Sequence, residues 1–96
     1  MAAYVVAIIN IKDAERYENE YVQGVRPLMA KYGGRSLMAS DSPDLKEGDW
    51  PPGRLIVIEF PDKAAAEAWY ADPAYRPLLE LRGSISDSLL AIVEGR

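Results

Sequence analysis

Three stretches of the chain are nearly unbroken runs of apolar residues: Tyr4-Val5-Val6-Ala7-Ile8-Ile9, Leu55-Ile56-Val57-Ile58 and Leu89-Leu90-Ala91-Ile92-Val93. A strand with one wet face alternates apolar and polar residues. These runs do not alternate, so both faces of the sheet they build are expected to be covered. The helices of the chain are enough for one face. The other needs a partner, most simply a second copy, and the pattern therefore predicts a homodimer.

Between and around these runs the remaining elements follow in order. Ala3 to Ile11 reads as the first strand, and Asp13 is a good helix N-cap. Tyr17, Tyr21, Val25, Leu28 and Tyr32 then recur every three or four residues, as one face of a helix does. Pro27 lacks a backbone donor, so a kink or break is expected near Gly24 to Arg26. Gly33-Gly34 ends the helix. Arg35 to Ser40 is a short second strand, and the Pro- and Gly-rich stretch from Asp41 to Gly53 is a loop. Arg54 to Phe60 is the third strand. Asp62 caps a second helix through Ala64 to Tyr70, and Asp72-Pro73 looks like another cap with proline in the first helical position. A further helical piece is expected to run to about Arg82, interrupted at Pro77, with Gly83 opening a turn and Ile85 to Glu94 forming the fourth strand. The order is βαββαβ in one domain spanning residues 1–96. With right-handed crossovers this is the ferredoxin-like α+β sandwich, an antiparallel sheet of order 4-1-3-2 with both helices on one face.

Composition narrows the chemistry. The chain has no cysteine and no histidine. It therefore lacks thiolate nucleophiles, disulfides, the commonest general base and the commonest transition-metal ligands. No Asp/Glu cluster has the spacing of an oxygen-only metal site. No metal and no cofactor is expected. Fifteen acidic residues against eleven basic give a net charge of −4, which repels phosphate backbones and argues against a nucleic-acid partner. The apolar runs are too short to span a bilayer, and the N-terminus carries no signal-peptide pattern, so the expected setting is cytoplasmic, without a membrane.

Four segments carry a family resemblance: Lys31-Tyr32-Gly33-Gly34-Arg35, Glu47-Gly48-Asp49-Trp50, Arg54 to Phe60, and Trp69-Tyr70-Ala71-Asp72-Pro73-Ala74-Tyr75. With them the chain resembles the small stand-alone proteins of domain of unknown function 1330, within the dimeric α/β-barrel superfamily. The resemblance covers nearly the whole chain. It implies a ferredoxin-like protomer that pairs sheet to sheet. It implies no reaction, since the family has no established activity. The wider superfamily includes cofactor-free monooxygenases, muconolactone isomerases, haem-degrading and chlorite-reducing enzymes and stress-responsive barrel proteins.

The expected topology sorts the polar and aromatic residues to two poles. At one, Asn10, Lys12, Tyr17, Trp50, Arg54, Tyr75 and Arg82 gather. Here Arg54 and Arg82 suit a planar oxyanion, Tyr17, Trp50 and Tyr75 suit the walls of an apolar pocket, and Asn10 suits an orienting role. The alternative is that the two arginines pair with acidic residues such as Asp13, Glu47 or Asp49, and that Trp50 seals a dimer rim. At the other pole, Glu59 interrupts an apolar run and is the candidate carboxylate for proton transfer. A symmetric hairpin sets it beside Arg35, and a structural ion pair explains it without any ligand. Trp69 is expected in the core, with Tyr70 turned about 100° away from it. Gly33-Gly34 follows a helix instead of preceding one, so it is no phosphate loop. Ser84, Ser86 and Ser88 have no histidine to activate them.

Three functions remain open at this level: a module binding a small anionic or aromatic ligand between helices and sheet, a cofactor-independent oxygenase- or isomerase-like enzyme, and a pure dimerisation module.

Overall fold

The computed structural model describes residues 1–95. Strand β1 (Ala3–Ile11) lies at the middle of a four-stranded antiparallel sheet, between β3 (Arg54–Phe60) and β4 (Ser86–Glu94), with β2 (Arg35–Ser40) on the edge beside β3. The order β2-β3-β1-β4 is the ferredoxin-like arrangement expected from the pattern. Register divides the sheet into two faces. Ala3, Val5, Ala7 and Ile9 of β1 align with Phe60, Ile58, Ile56 and Arg54 of β3 and, from Val5 onward, with Ile92, Leu90 and Ser88 of β4. All four of these β1 residues are buried under the helices. Tyr4, Val6, Ile8 and Asn10 point to the other face, with Glu59, Val57, Leu55, Val93, Ala91, Leu89 and Asp87.

The first helical run is continuous but not uniform. One α-turn, α1 (Ala14–Arg16), is started by Asp13, whose carboxylate accepts the Arg16 N–H at 3.1 Å. The chain then widens into π geometry over Tyr17–Val22 and returns to α-helix in α2 (Gln23–Lys31). The irregularity therefore lies one turn before the expected kink at Gly24 to Arg26. Pro27 sits inside α2, where the carbonyl it leaves unpaired is that of Gln23, at the junction with the π-turn. At the far end Gly33 adopts φ +78°, and the Gly34 N–H donates to Met29 O at 2.9 Å, closing the last turn.

The second crossover is built on two aspartates. Asp62 caps α3 (Lys63–Ala71) by accepting the Ala65 N–H at 2.7 Å. Asp72 accepts the Ala74 N–H at 2.8 Å and starts a 3₁₀ turn, Pro73–Tyr75, that leads directly into α4 (Arg76–Ile85). The other oxygen of Asp72 accepts from Tyr32 and from Lys31 at 3.3 Å, tying the end of α2 to this joint. Two expectations are corrected here. Pro77 does not interrupt the helix, because in its first turn no intrahelical N–H is required. Gly83 does not open a turn. It is helical, and β4 begins at Ser86, not Ile85. Ser84 lies in α4 and donates to Leu81 O at 2.7 Å, while the Ser86 hydroxyl donates to Arg82 O.

Phe60, Trp69 and Tyr75 are fully buried and form the aromatic centre of the core, with Trp69 4.6 Å from Tyr75 and 5.6 Å from Phe60, ring centre to ring centre. Tyr70, the next residue on α3, is partly exposed, as the helical offset requires. Among the described residues, no helix is long and apolar enough to cross a membrane.

Candidate functional site

β2 is exposed along most of its length, because the helices cover β1 and β3 more fully than they cover this edge. The gap between the first helical run and the sheet is a cavity of about 170 Å³. Its floor is Val5, Ala7, Ile9, Ile56, Ile58 and Leu90. Its roof is Tyr17, Tyr21, Val22, Val25 and Met29, and Trp69 and Arg82 complete the lining. Glu18, Arg26, Ser36 and Ala39 are exposed residues of the same lining and mark its mouth.

The π-turn shapes the roof. Tyr17 and Tyr21 both face inward and stack at 5.2 Å with their planes 24° apart. Widened turns of this kind recur where a helix must present side chains to a site. The Tyr21 and Tyr75 hydroxyls share a 2.8 Å hydrogen bond, which links the roof to the aromatic core.

Arg82 is the decisive residue. It is only 4% exposed, and its Nε and Nη1 have no hydrogen-bond partner. Among the described residues no carboxylate lies within ion-pairing distance of it. Its guanidinium carbon lies 6.0 Å from the centre of the Tyr21 ring, a cation–π approach that compensates only part of the lost hydration. The effective cost of burying an unpaired ion is several kcal/mol. The surrounding tyrosines offer no anion. Burial pushes the Tyr17 hydroxyl up to about 12, although Arg54 and Arg82 draw it down. Burial also raises Tyr21, reinforced by Tyr75, and it raises Tyr75 against the opposing pull of Arg82. All three are neutral at physiological pH.

The other expected site residues scatter. Arg54 stands 5.7 Å from the Tyr17 ring centre but is committed elsewhere. Its Nε and Nη2 reach the two Asp41 oxygens at 2.8 and 3.4 Å, and its Nη1 reaches Glu18 at 3.0 Å. The Asp41 hydrogen bonds hold the Arg54 guanidinium well above the usual arginine range, and Arg54 in turn lowers Asp41. The partners are thus Asp41 and Glu18, not Asp13, Glu47 or Asp49. Register explains Asp41, since Ser40 pairs with Leu55 and the next step along the hairpin sets Asp41 against Arg54. Tyr75 adjoins the cavity through its hydroxyl hydrogen bond to Tyr21. Asn10 lies on the opposite face of the sheet, beside a shallow hollow formed with Pro51, Pro52 and Asp87. Trp50 is exposed on the 41–53 loop and lines neither space. Of the six candidates, Tyr17 and Arg82 line the cavity, Tyr75 and Arg54 adjoin it, and Asn10 and Trp50 stand apart.

Glu59 also faces away from the cavity. Its Oε1 is 2.8 Å from Arg35 Nη2, and the Tyr4 hydroxyl lies 3.4 Å from Oε2. Two residues outside the expected site set also line the cavity: Tyr21, from the apolar helix face, and Trp69, which is buried in the core as expected. The Trp69 indole nitrogen is buried without a partner. For Arg82 a signal was present in the sequence. Tyr75, Leu78, Arg82 and Ile85 fall on one helical stripe, so Arg82 is an arginine in an apolar row.

Comparison with known proteins agrees with this architecture. The RPA0582 protein of unknown function from Rhodopseudomonas palustris superposes with a TM-score of 0.80 at 19% identity, covering 99% of this chain and 82% of that one. SnoaB, a cofactor-independent oxygenase from Streptomyces nogalater, superposes at 0.71 with 16% identity, covering 99% and 93%. A dimeric ferredoxin-like protein of unknown function from Thermobifida fusca superposes at 0.55 with 14% identity, covering 99% and 92%. At these identities the likeness is one of fold. No curated protein sequence matches the chain. The family model of DUF1330, a domain of unknown function, matches residues 2–96, and the chain belongs to that family.

Proposed function

We propose that the protein binds a small organic anion in the cavity between its first helical run and its sheet, with Arg82 as the counter-charge. The observation that carries this reading is the buried guanidinium whose Nε and Nη1 lack partners, in a largely apolar hollow. Such a group is costly when empty and strongly favours an anion that satisfies it. An enzymatic reading needs a proton acceptor in the same place. Tyr17 is held protonated, Glu59 is on the other face of the sheet, and Glu18 at the mouth is bound to Arg54. These positions favour binding over proton-transfer chemistry.

The test is isothermal titration of the protein with acetate and with benzoate, alongside an Arg82→Met variant. The wild type is expected to bind at least one of them, and the variant to bind it at least about thirtyfold more weakly, as for loss of one partner from a buried charge pair. Equal binding by both proteins would overturn the reading.

The bare sheet face supports a second part of the proposal, that two copies pair through it. Leu89 and Val93 are 51% and 48% exposed there, and Met38 of β2 is half exposed beside Val57. The molecule measures 33 × 32 × 16 Å, so the sheet face has room for the ~800 Å² per partner of a standard interface. The Thermobifida fusca protein of similar fold is described as dimeric. Sedimentation at micromolar concentration is expected to give a dimer, and a stable monomer would contradict this part.

A further inference from the structure

Two side chains that line the same cavity carry buried donors without protein partners. One is the Arg82 guanidinium. The other is the indole N–H of Trp69, which is 1% exposed. A buried indole N–H usually finds an acceptor, and leaving it unmatched is costly. Size gives a third constraint. An engineered dry cavity of about 150 Å³ takes up benzene. The space of about 170 Å³ therefore matches one six-membered ring with small substituents. The stacked Tyr17 and Tyr21 rings and the Trp69 ring offer aromatic walls to a flat guest.

We infer that the ligand is a monocyclic aromatic acid bearing a second oxygen, its carboxylate on Arg82 and its further oxygen accepting from the Trp69 indole. This specifies the ligand class of the anion site proposed above and rests on that reading. The carboxylate neutralises the buried charge, the ring fills the apolar space, and the second oxygen, as a hydroxyl or carbonyl, satisfies the remaining donor.

The probes are acetate, cyclohexanecarboxylate, benzoate, 2-naphthoate and the three hydroxybenzoate isomers, titrated into the full chain labelled with nitrogen-15. The indole N–H signals of Trp50 and Trp69 are distinguished by a Trp50→Phe variant. The expected result is that benzoate binds at least tenfold more tightly than acetate or 2-naphthoate. At least one hydroxybenzoate isomer then binds about three- to tenfold more tightly than benzoate, the worth of one hydrogen bond. That isomer moves the Trp69 indole proton downfield and leaves Trp50 unmoved. In Trp69→Phe, which keeps an aromatic ring and removes the N–H, the advantage over benzoate disappears. If acetate or cyclohexanecarboxylate binds as well as any aromatic acid, and binding still fails in Arg82→Met, the anion site stands and this ligand class is overturned. An advantage that survives in Trp69→Phe also overturns it. If none of the probes binds, both readings fall. Because the Trp69 indole shift is read on the unmutated protein, that readout does not require Arg82→Met or Trp69→Phe to fold.

Discussion

Replacing Arg82 by methionine keeps most of the side-chain stem and removes the charge, and the expected consequence for stability runs against ordinary intuition about buried side chains. If the guanidinium were part of a structural network, its loss would cost about 3–5 kcal/mol, because a partner would be stranded. In this structure no carboxylate among the described residues would be stranded, and Nε and Nη1 satisfy nothing. The variant therefore relieves the desolvation of a buried ion. Replacing even a buried ion pair by apolar residues of similar volume is often stabilising by about 1–4 kcal/mol, and an unpaired ion has no Coulombic partner to lose. Against this stands the cation–π approach to Tyr21, whose loss costs about 0.5–2 kcal/mol. The net expectation for ligand-free protein is a gain of about 1–2 kcal/mol. For a domain of this size that corresponds to a rise in Tm of roughly 4–16 °C. The assay is urea and thermal unfolding of extensively dialysed wild type and variant at equal protein concentration. Benzoate should then stabilise the wild type and leave the variant unchanged. A variant destabilised by more than 1 kcal/mol in the absence of ligand would mean instead that Arg82 is anchored to the fold.

Three other outcomes follow from the same geometry. Val6→Asp places a charge on the bare sheet face, beside Val57 and Ala91, and is expected to give monomer or aggregate in size-exclusion chromatography; an unchanged dimer would show that this face is not the interface. Gly53→Ala is expected to lose about 2–3 kcal/mol in chemical denaturation, because Gly53 has φ +136° and a Cβ there would sit 2.7 Å from the Ile9 carbonyl carbon; wild-type stability would contradict this. Tyr17, Tyr21 and Tyr75 have folded-state pKa values above the unfolded value near 10, so their contribution is complete below pH 10 and is lost as pH rises beyond it; stability should fall above pH 10, and tyrosinate absorbance should appear together with unfolding, whereas independent titration of all the tyrosines near pH 10 would count against it.

Much of the fold was legible because the strands announce themselves. The apolar runs mark β1, β3 and β4, and Asp13, Asp62 and Asp72 mark helix starts by a local hydrogen bond that needs no tertiary context. The π-turn was not legible. Tyr17 and Tyr21 are four apart, a spacing equally at home in an α-helix, so the wider turn leaves no mark on the apolar pattern. Pro77 and Gly83 look like breaks in sequence, yet one occupies a first turn where no donor is needed and the other an exposed helical position. The face of β1 that meets the helices could not be chosen because both sets of alternate residues are apolar. That ambiguity carried Asn10 into the expected site, whereas its side of the strand is the opposite one. Arg54 illustrates the converse. Its residue type suited an anion, but its neighbour across the hairpin, Asp41, already supplies one. Arg82 has the same chemistry without such a neighbour, a difference that only burial and distance reveal.

A crystal structure of the unmutated protein grown with benzoate would show what Arg82 holds. A carboxylate is expected within hydrogen-bonding distance of Arg82, its ring enclosed under Tyr17 and Tyr21. Benzoate absent from that cavity, with Arg82 turned outward to bulk solvent or held by a protein carboxylate, would contradict this expectation.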